Sequence, residues 1–155
     1  CLRHKPMQKL FGLIMVALVT LMFGFTTSNS NAHSGATGVV KERMDRFKAS
    51  QDAMKAMANA VTLGDYDRLI EYAEGIETWA KEMVSYFPEG SNEKPSEALD
   101  VIWEKPDEFA ATAAKNAEAA RRLMTLAQDG DAEASRSAFR DLAASCKACH
   151  QQFRQ

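Results

Sequence analysis

Residues 131–154 read DAEASRSAFRDLAASCKACHQQFR, and the fold turns on how this stretch is laid out in space. Ala138, Leu142, Cys146, Cys149 and Phe153 recur every three or four residues. That interval sets them along one stripe of a helix, whereas a strand would alternate every second residue. Gly130-Asp131 just upstream combines a helix stop with a helix cap. The stretch therefore reads as one amphipathic helix, with both cysteines on its apolar side.

Three further stretches upstream show the same period. The nearest runs from Pro106-Asp107, where proline suits a helix start, to about Gln128. It places Phe109, Thr112, Asn116, Ala119, Leu123 and Leu126 on one side. Another, from Asp65 to about Tyr86, carries Leu69, Ala73, Ile76, Ala80, Met83 and Phe87. The first, from about Gly38 to Leu63, lines up Val40, Met44, Phe47, Gln51, Met54, Ala58 and Val61, and Gly64-Asp65 ends it. Pro88, Gly90, Ser91, Asn92 and Pro95 mark one extended loop, followed by a short turn around Leu99 to Trp103. Nothing alternates as a strand would. Four amphipathic helices, with short connections at two of three junctions, predict an all-α, antiparallel four-helix bundle. Its Met and aromatic stripe positions are read first as core packing.

The chain of 155 residues begins differently from the rest. Arg3, Lys5 and Lys9 precede the apolar run Phe11 to Phe25, and Ser30-Asn31-Ala32 places small residues at a cleavage site. A basic segment, an apolar segment and a small-residue cut describe a secretory signal peptide, expected over residues 1–32. The apolar run is shorter than the roughly 20 residues of a spanning helix, so cleavage is expected rather than anchoring. The mature part, residues 33–155, then forms one domain with no membrane segment. Without Arg3, Lys5 and Lys9, 16 of the 19 basic residues face all 21 acidic ones, a net charge of about −5. That balance argues against nucleic acid or an anionic membrane as partner and suits docking to a basic protein. Cys1 is given no role, and His33 is read as a terminal residue. In the mature part only Cys146 and Cys149 remain, and a disulfide between them would close a loop too small to staple anything.

The chemistry concentrates in Cys146-Lys147-Ala148-Cys149-His150. Cys-x-x-Cys-His is the attachment signature of haem c. Residues three apart project from neighbouring points on one helix face, so two thiols can reach the two vinyl groups of one porphyrin. His150 follows directly and is expected to direct a ring nitrogen at the iron. A zinc site would need a second ligand pair, and the only other mature histidine is His33. A thioredoxin-type pair normally opens a helix after a strand, whereas this one lies late in a helix. One covalently attached haem c is therefore the expected cofactor.

Around that motif the chain resembles the cytochrome c′ family, including its low-spin, methionine-ligated relatives. Cys146-Lys-Ala-Cys-His-Gln-Gln-Phe-Arg154 is similar to the family's haem helix. Phe87-Pro88-Glu89-Gly90-Ser91 resembles its loop after helix two, and Ile102 to Phe109 its entry to helix three. Val40 to Met57, with Arg43, is similar to its first helix. The resemblance implies a left-handed bundle with haem between helices, a homodimer packed through helix one, and a periplasmic setting. It implies His150 as the axial ligand, with Arg43 near the haem edge. Met44 replaces the family's Gln, and Phe47 stands where a residue faces the distal iron. Ser96 sits where some members place a haem-contacting Thr.

Phe47 has no ligand atom, so it predicts a five-coordinate iron able to take a small diatomic such as nitric oxide or carbon monoxide. Met44, one turn away, is the alternative: a sixth ligand that would make a six-coordinate His/Met electron carrier. Arg43 or Arg154 could neutralise a haem propionate, and a solvated surface role is the other reading of Arg154. Two functions follow: a periplasmic electron carrier working with redox partner proteins, or a gas-binding or nitric-oxide-buffering haem protein. No nucleophile with a base, phosphate loop or acid pair suggests an enzyme.

Overall fold

The computed structural model describes residues 35–155, so the expected signal peptide over residues 1–32 and His33 lie outside the described part. Five helices follow one another: α1 Gly38–Leu63, α2 Tyr66–Glu82, α3 Val101–Glu104, α4 Pro106–Gln128 and α5 Ala132–Phe153. Among the described residues only the isolated bridge Ala98 to Arg154 is strand-like. The turn signals act as their chemistry requires. Gly64 closes α1 at φ 71°, a left-handed conformation that costs glycine little, and its N–H reaches Ala60 O. The Asp65 side chain accepts from the N–H of Arg68 at 3.3 Å. Asp131 caps α5 more fully, accepting from the N–H groups of Glu133 at 3.1 Å and Ala134 at 2.9 Å. Pro106 occupies the first turn of α4, where its missing N–H costs nothing. The second helix is shorter than expected. It ends at Glu82, and Met83–Tyr86 continue as a tighter 3₁₀ turn leading into the loop.

The four long helices make the expected antiparallel bundle. α2 packs most broadly against α4, α4 against α5, and α1 against α2, while α1 and α5 touch least. The core divides along the bundle axis. At the end holding the Gly64 and Gly130 turns it is aliphatic, with Met57, Leu69, Ile76, Leu123 and Leu142 buried among alanines. At the other end it is aromatic: Trp79, Phe109 and Phe153 are buried with Met83 and Ile102, and Phe47, Phe87 and Cys149 pack against them.

The α2 stripe is as expected, with Leu69, Ala73, Ile76, Ala80 and Met83 all buried. The α1 stripe needs correction. Phe47, Met54 and Val61 face inward and are half-buried, but the positions between them are Arg43, Ser50 and Met57 instead of Met44, Gln51 and Ala58. Gln51 and Ala58 are exposed, while Arg43 and Met57 are buried. The reason lies in one side chain. Arg43 looks like a surface residue, so apolar Met44 beside it claims the stripe, yet Arg43 is the one supplied with buried hydrogen-bond partners. On α4 likewise, Ala113, Ala120 and Ala127 are buried where Thr112, Ala119 and Leu126 are only half-buried. Alanine's small side chain lets α4 approach its neighbours on that side.

Candidate functional site

α5 brings the motif to the aromatic end of the bundle. Cys146 and Cys149 are free thiols, each half-buried. Asn116 on α4 donates through Nδ2 to Ser145 Oγ at 2.8 Å and Cys146 Sγ at 3.4 Å. Burial pushes the Cys146 thiol up, against the opposing hydrogen bonds from Asn116 and Ser145. Burial, and then the neighbouring Cys146, raise Cys149 to about 11. The pair is therefore held protonated near neutral pH, and it lies towards the negative end of its helix dipole. A thioredoxin-type nucleophile needs the opposite environment. His150 follows in the last turn and is itself exposed. Partial desolvation, then the charge of Arg154, lower its pKa, with Glu97 acting the other way. That direction favours the neutral imidazole, the form whose nitrogen lone pair a metal takes.

The wall opposite comes from α1. The Phe47 ring stands edge-on to the His150 imidazole, centroids 6.3 Å apart and planes 71° apart. Phe47 also meets Trp79 at 5.2 Å and Phe87 at 6.3 Å. Met44 is half-buried and packs against neither core cluster. The structure thus brings Phe47 to the ring of His150.

A polar frame borders this wall. Arg43 is only 2% exposed. It donates through Nη1 to Tyr86 O at 3.1 Å and Ser91 Oγ at 2.7 Å. Through Nη2 it donates to Ser96 Oγ at 2.6 Å and to Ser91 O. Its guanidinium also lies 4.3 Å from the centre of the Phe87 ring. Every one of these acceptors is neutral, and burial lowers the Arg43 pKa. Ser96 therefore meets Arg43 here. Arg154 lies just past α5 and is exposed, with Nε donating to Glu97 Oε2 at 2.6 Å. The Leu99 N–H to Phe153 O bond, 3.0 Å, and the Gln155 N–H to Glu97 O bond, 3.0 Å, tie the end of α5 to the loop. On the loop's other side Trp103 Nε1 donates to Phe87 O at 3.0 Å and Pro88 O at 3.1 Å.

These residues fit a haem c. Two unpaired thiols sit beside an apolar cluster, a neutral imidazole adjoins them, and the thinnest seam of the bundle, α1 against α5, runs between His150 and Phe47. The buried Arg43 cation, which has no carboxylate partner among the described residues, suits a group that brings two carboxylates of its own. Among the described residues no three His, Cys, Asp or Glu side chains cluster as ligands for a bare metal ion. Sequence reasoning places Asn116 on the α4 stripe but not beside Cys146. It misses Trp79 and Ser91 as neighbours of the site, because those contacts join elements far apart in the chain.

Comparison with known proteins agrees with this geometry. A family model described as Cytochrome C' matches residues 38–154. Cytochrome c′ of Pararhodospirillum photometricum is 38% identical over 120 residues, 75% of this chain and 95% of that protein. The solved cytochrome c′ from Rhodopseudomonas palustris superposes with a TM-score of 0.69 at 26% identity, covering 77% of this chain and 98% of that one. A nitric oxide complex of a mutant cytochrome c prime from Alcaligenes xylosoxidans superposes with a TM-score of 0.67 at 25% identity, covering 76% and 93%.

Proposed function

The chain belongs to the cytochrome c′ family, whose members carry one covalently attached haem c, and on that premise we propose a periplasmic one-electron carrier whose iron keeps an open face for a small diatomic gas. Cys146 and Cys149 would tether the haem through two thioethers, and His150 would take the axial position on the iron. Bound there, the haem supplies one-electron exchange and a site for gases such as nitric oxide or carbon monoxide. The single observation that carries the reading is Phe47. The ring facing His150 is apolar and has no atom that can bond iron. Packed against Trp79 and Phe87, it would exclude water and larger ligands while yielding to a diatomic. The nitric oxide complex of the Alcaligenes relative supports the same capacity here.

Arg43 would hold a propionate with a charge-assisted bond while keeping the loop in place. Residues 1–32 would direct export and be removed. Redox partners would meet the acidic mature chain through basic surfaces, and a homodimer through α1 follows the family pattern.

Optical spectra of the mature protein, ferric and ferrous, with and without carbon monoxide, test the reading. A high-spin Soret band that moves with carbon monoxide is expected. Sharp low-spin bands indifferent to carbon monoxide would mean a sixth protein ligand. Met44, one turn from Phe47, is the side chain to replace in that event. A Phe47→Ala variant should bind carbon monoxide faster, and unchanged binding would remove Phe47 from the distal face.

A further inference from the structure

The rings around Phe47 branch in two directions. One branch runs inward through Phe87, Phe109 and Phe153, with separations of 6.3, 4.9 and 5.1 Å, and holds only phenylalanine. The other runs outward from Phe47 to Trp79 at 5.2 Å, and from Trp79 to half-exposed Tyr86 at 5.2 Å. It holds the two ring types that lose an electron most readily. We propose that Trp79 and Tyr86 form a relay that carries an oxidising equivalent from the haem face to the surface when the reduced protein meets peroxide. The inference rests on haem being held at Cys146, Cys149 and His150.

Three details set this branch apart from ordinary packing. Trp79 Nε1 is buried with no hydrogen-bond partner among the described residues, so none of them takes its proton. An oxidised indole there stays a cation and remains strong enough to oxidise the next ring. The Arg46 guanidinium lies 5.4 Å from the Trp79 ring and 4.7 Å from the Tyr86 ring, held by Glu82 at 3.0 Å. Arg46 touches both rings, so Trp79 and Tyr86 share one short, continuous contact. Arg46 Nη2 donates to the Tyr86 hydroxyl at 2.7 Å, so the phenol oxygen is the acceptor and its own proton is left to solvent.

The step balances as follows. One hydrogen peroxide gains two electrons and two protons and leaves as two waters. Ferrous iron gives one electron and becomes ferric; Tyr86, through Trp79, gives the other. Tyr86 also gives its phenolic proton, solvent gives the second, and a neutral tyrosyl radical remains. A small-molecule thiol then restores the phenol by donating a hydrogen atom and becomes a thiyl radical.

The test uses the haem-loaded mature protein, its attachment checked first by the optical spectrum. The ferrous protein is mixed with one equivalent of hydrogen peroxide, frozen, and read by electron paramagnetic resonance, with and without ring-deuterated tyrosine. The relay predicts an organic radical whose hyperfine pattern changes on deuteration. It predicts loss of that signal in Tyr86→Phe, whose side chain keeps the ring and the fold, and a large loss in Trp79→Phe. Both variants should also bleach their haem sooner under repeated peroxide. An unaltered radical yield in Tyr86→Phe overturns the relay, as does oxidation of the iron with no organic radical, and either result leaves the haem reading standing. Ferrous iron indifferent to peroxide also overturns it. Absence of attached haem in the first spectrum would sink both.

Discussion

The two ends of the bundle are built on different terms. The aliphatic end is complete in itself: Met57, Leu69, Leu123 and Leu142 are wholly buried, and alanines let the helices close in. At the aromatic end Phe47, Phe87 and Cys149 are only half-buried, His150 is exposed, and α1 barely meets α5. Its polar exceptions point the same way. Among the described residues, Arg43 is a buried cation without an anion, and Trp79 Nε1 has no partner. One end is packed throughout and the other is less completely buried. The difference teaches that the Cys-x-x-Cys-His motif stands at the end where packing is less complete, bordered by a polar frame.

Removing the tether should strain the comparison most. In Cys146→Ala/Cys149→Ala the haem should be lost, and the aromatic end should lose stabilisation on the order of the roughly 4 kcal/mol that a ligand contributes at a thousand times its Kd. Hydrogen exchange should then rise at Phe47, Trp79 and Phe109 far more than at Leu69 or Leu123. Uniform acceleration would show that the two ends are not separate. Next comes Leu142→Ala, which should cost about 2–5 kcal/mol in denaturant while leaving the optical spectrum alone. A shifted Soret band there would mean that the aliphatic end reaches the iron. Trp103→Phe removes the bond to the Phe87 and Pro88 carbonyls and should cost about 1 kcal/mol, with its effect on carbon monoxide rebinding instead of on the melting of the other end. Smallest in reach is Asp131→Ala. Losing that cap should cost about 1 kcal/mol, confined to the first turn of α5, with the reduction potential unchanged.

Much of this was legible beforehand. Helix α2 showed its buried stripe position by position, because Leu69, Ala73, Ile76, Ala80 and Met83 are all apolar and compete with nothing polar. The Cys146, Cys149 and His150 pattern is local, so its place on one helix followed from spacing alone. The face of α1 did not follow. An arginine reads as solvent-seeking, and Arg43 is buried only because Tyr86, Ser91 and Ser96, more than forty residues away, bring it acceptors. Periodicity carries no trace of such partners. The same holds for Asn116, whose bond to Cys146 joins α4 to α5 across 30 residues. Ser96 was singled out by resemblance, but its place beside Arg43 belongs to the loop's path, which no period encodes.

The thin seam between α1 and α5 bears on how the molecule is made as well as on what it holds. Helix α4 shares the broadest contacts with α2 and with α5, whereas α1 leans chiefly on α2. With α1 set aside, the two thiols would lie on an open three-helix face, within reach of whatever machinery would join them to a porphyrin. Docking α1 would then lay Phe47 beside His150 and latch Arg43 into the loop. A haem tethered at Cys146 and Cys149 would thus enter where neighbouring helices meet most lightly, and α1 would be the helix that closes over it.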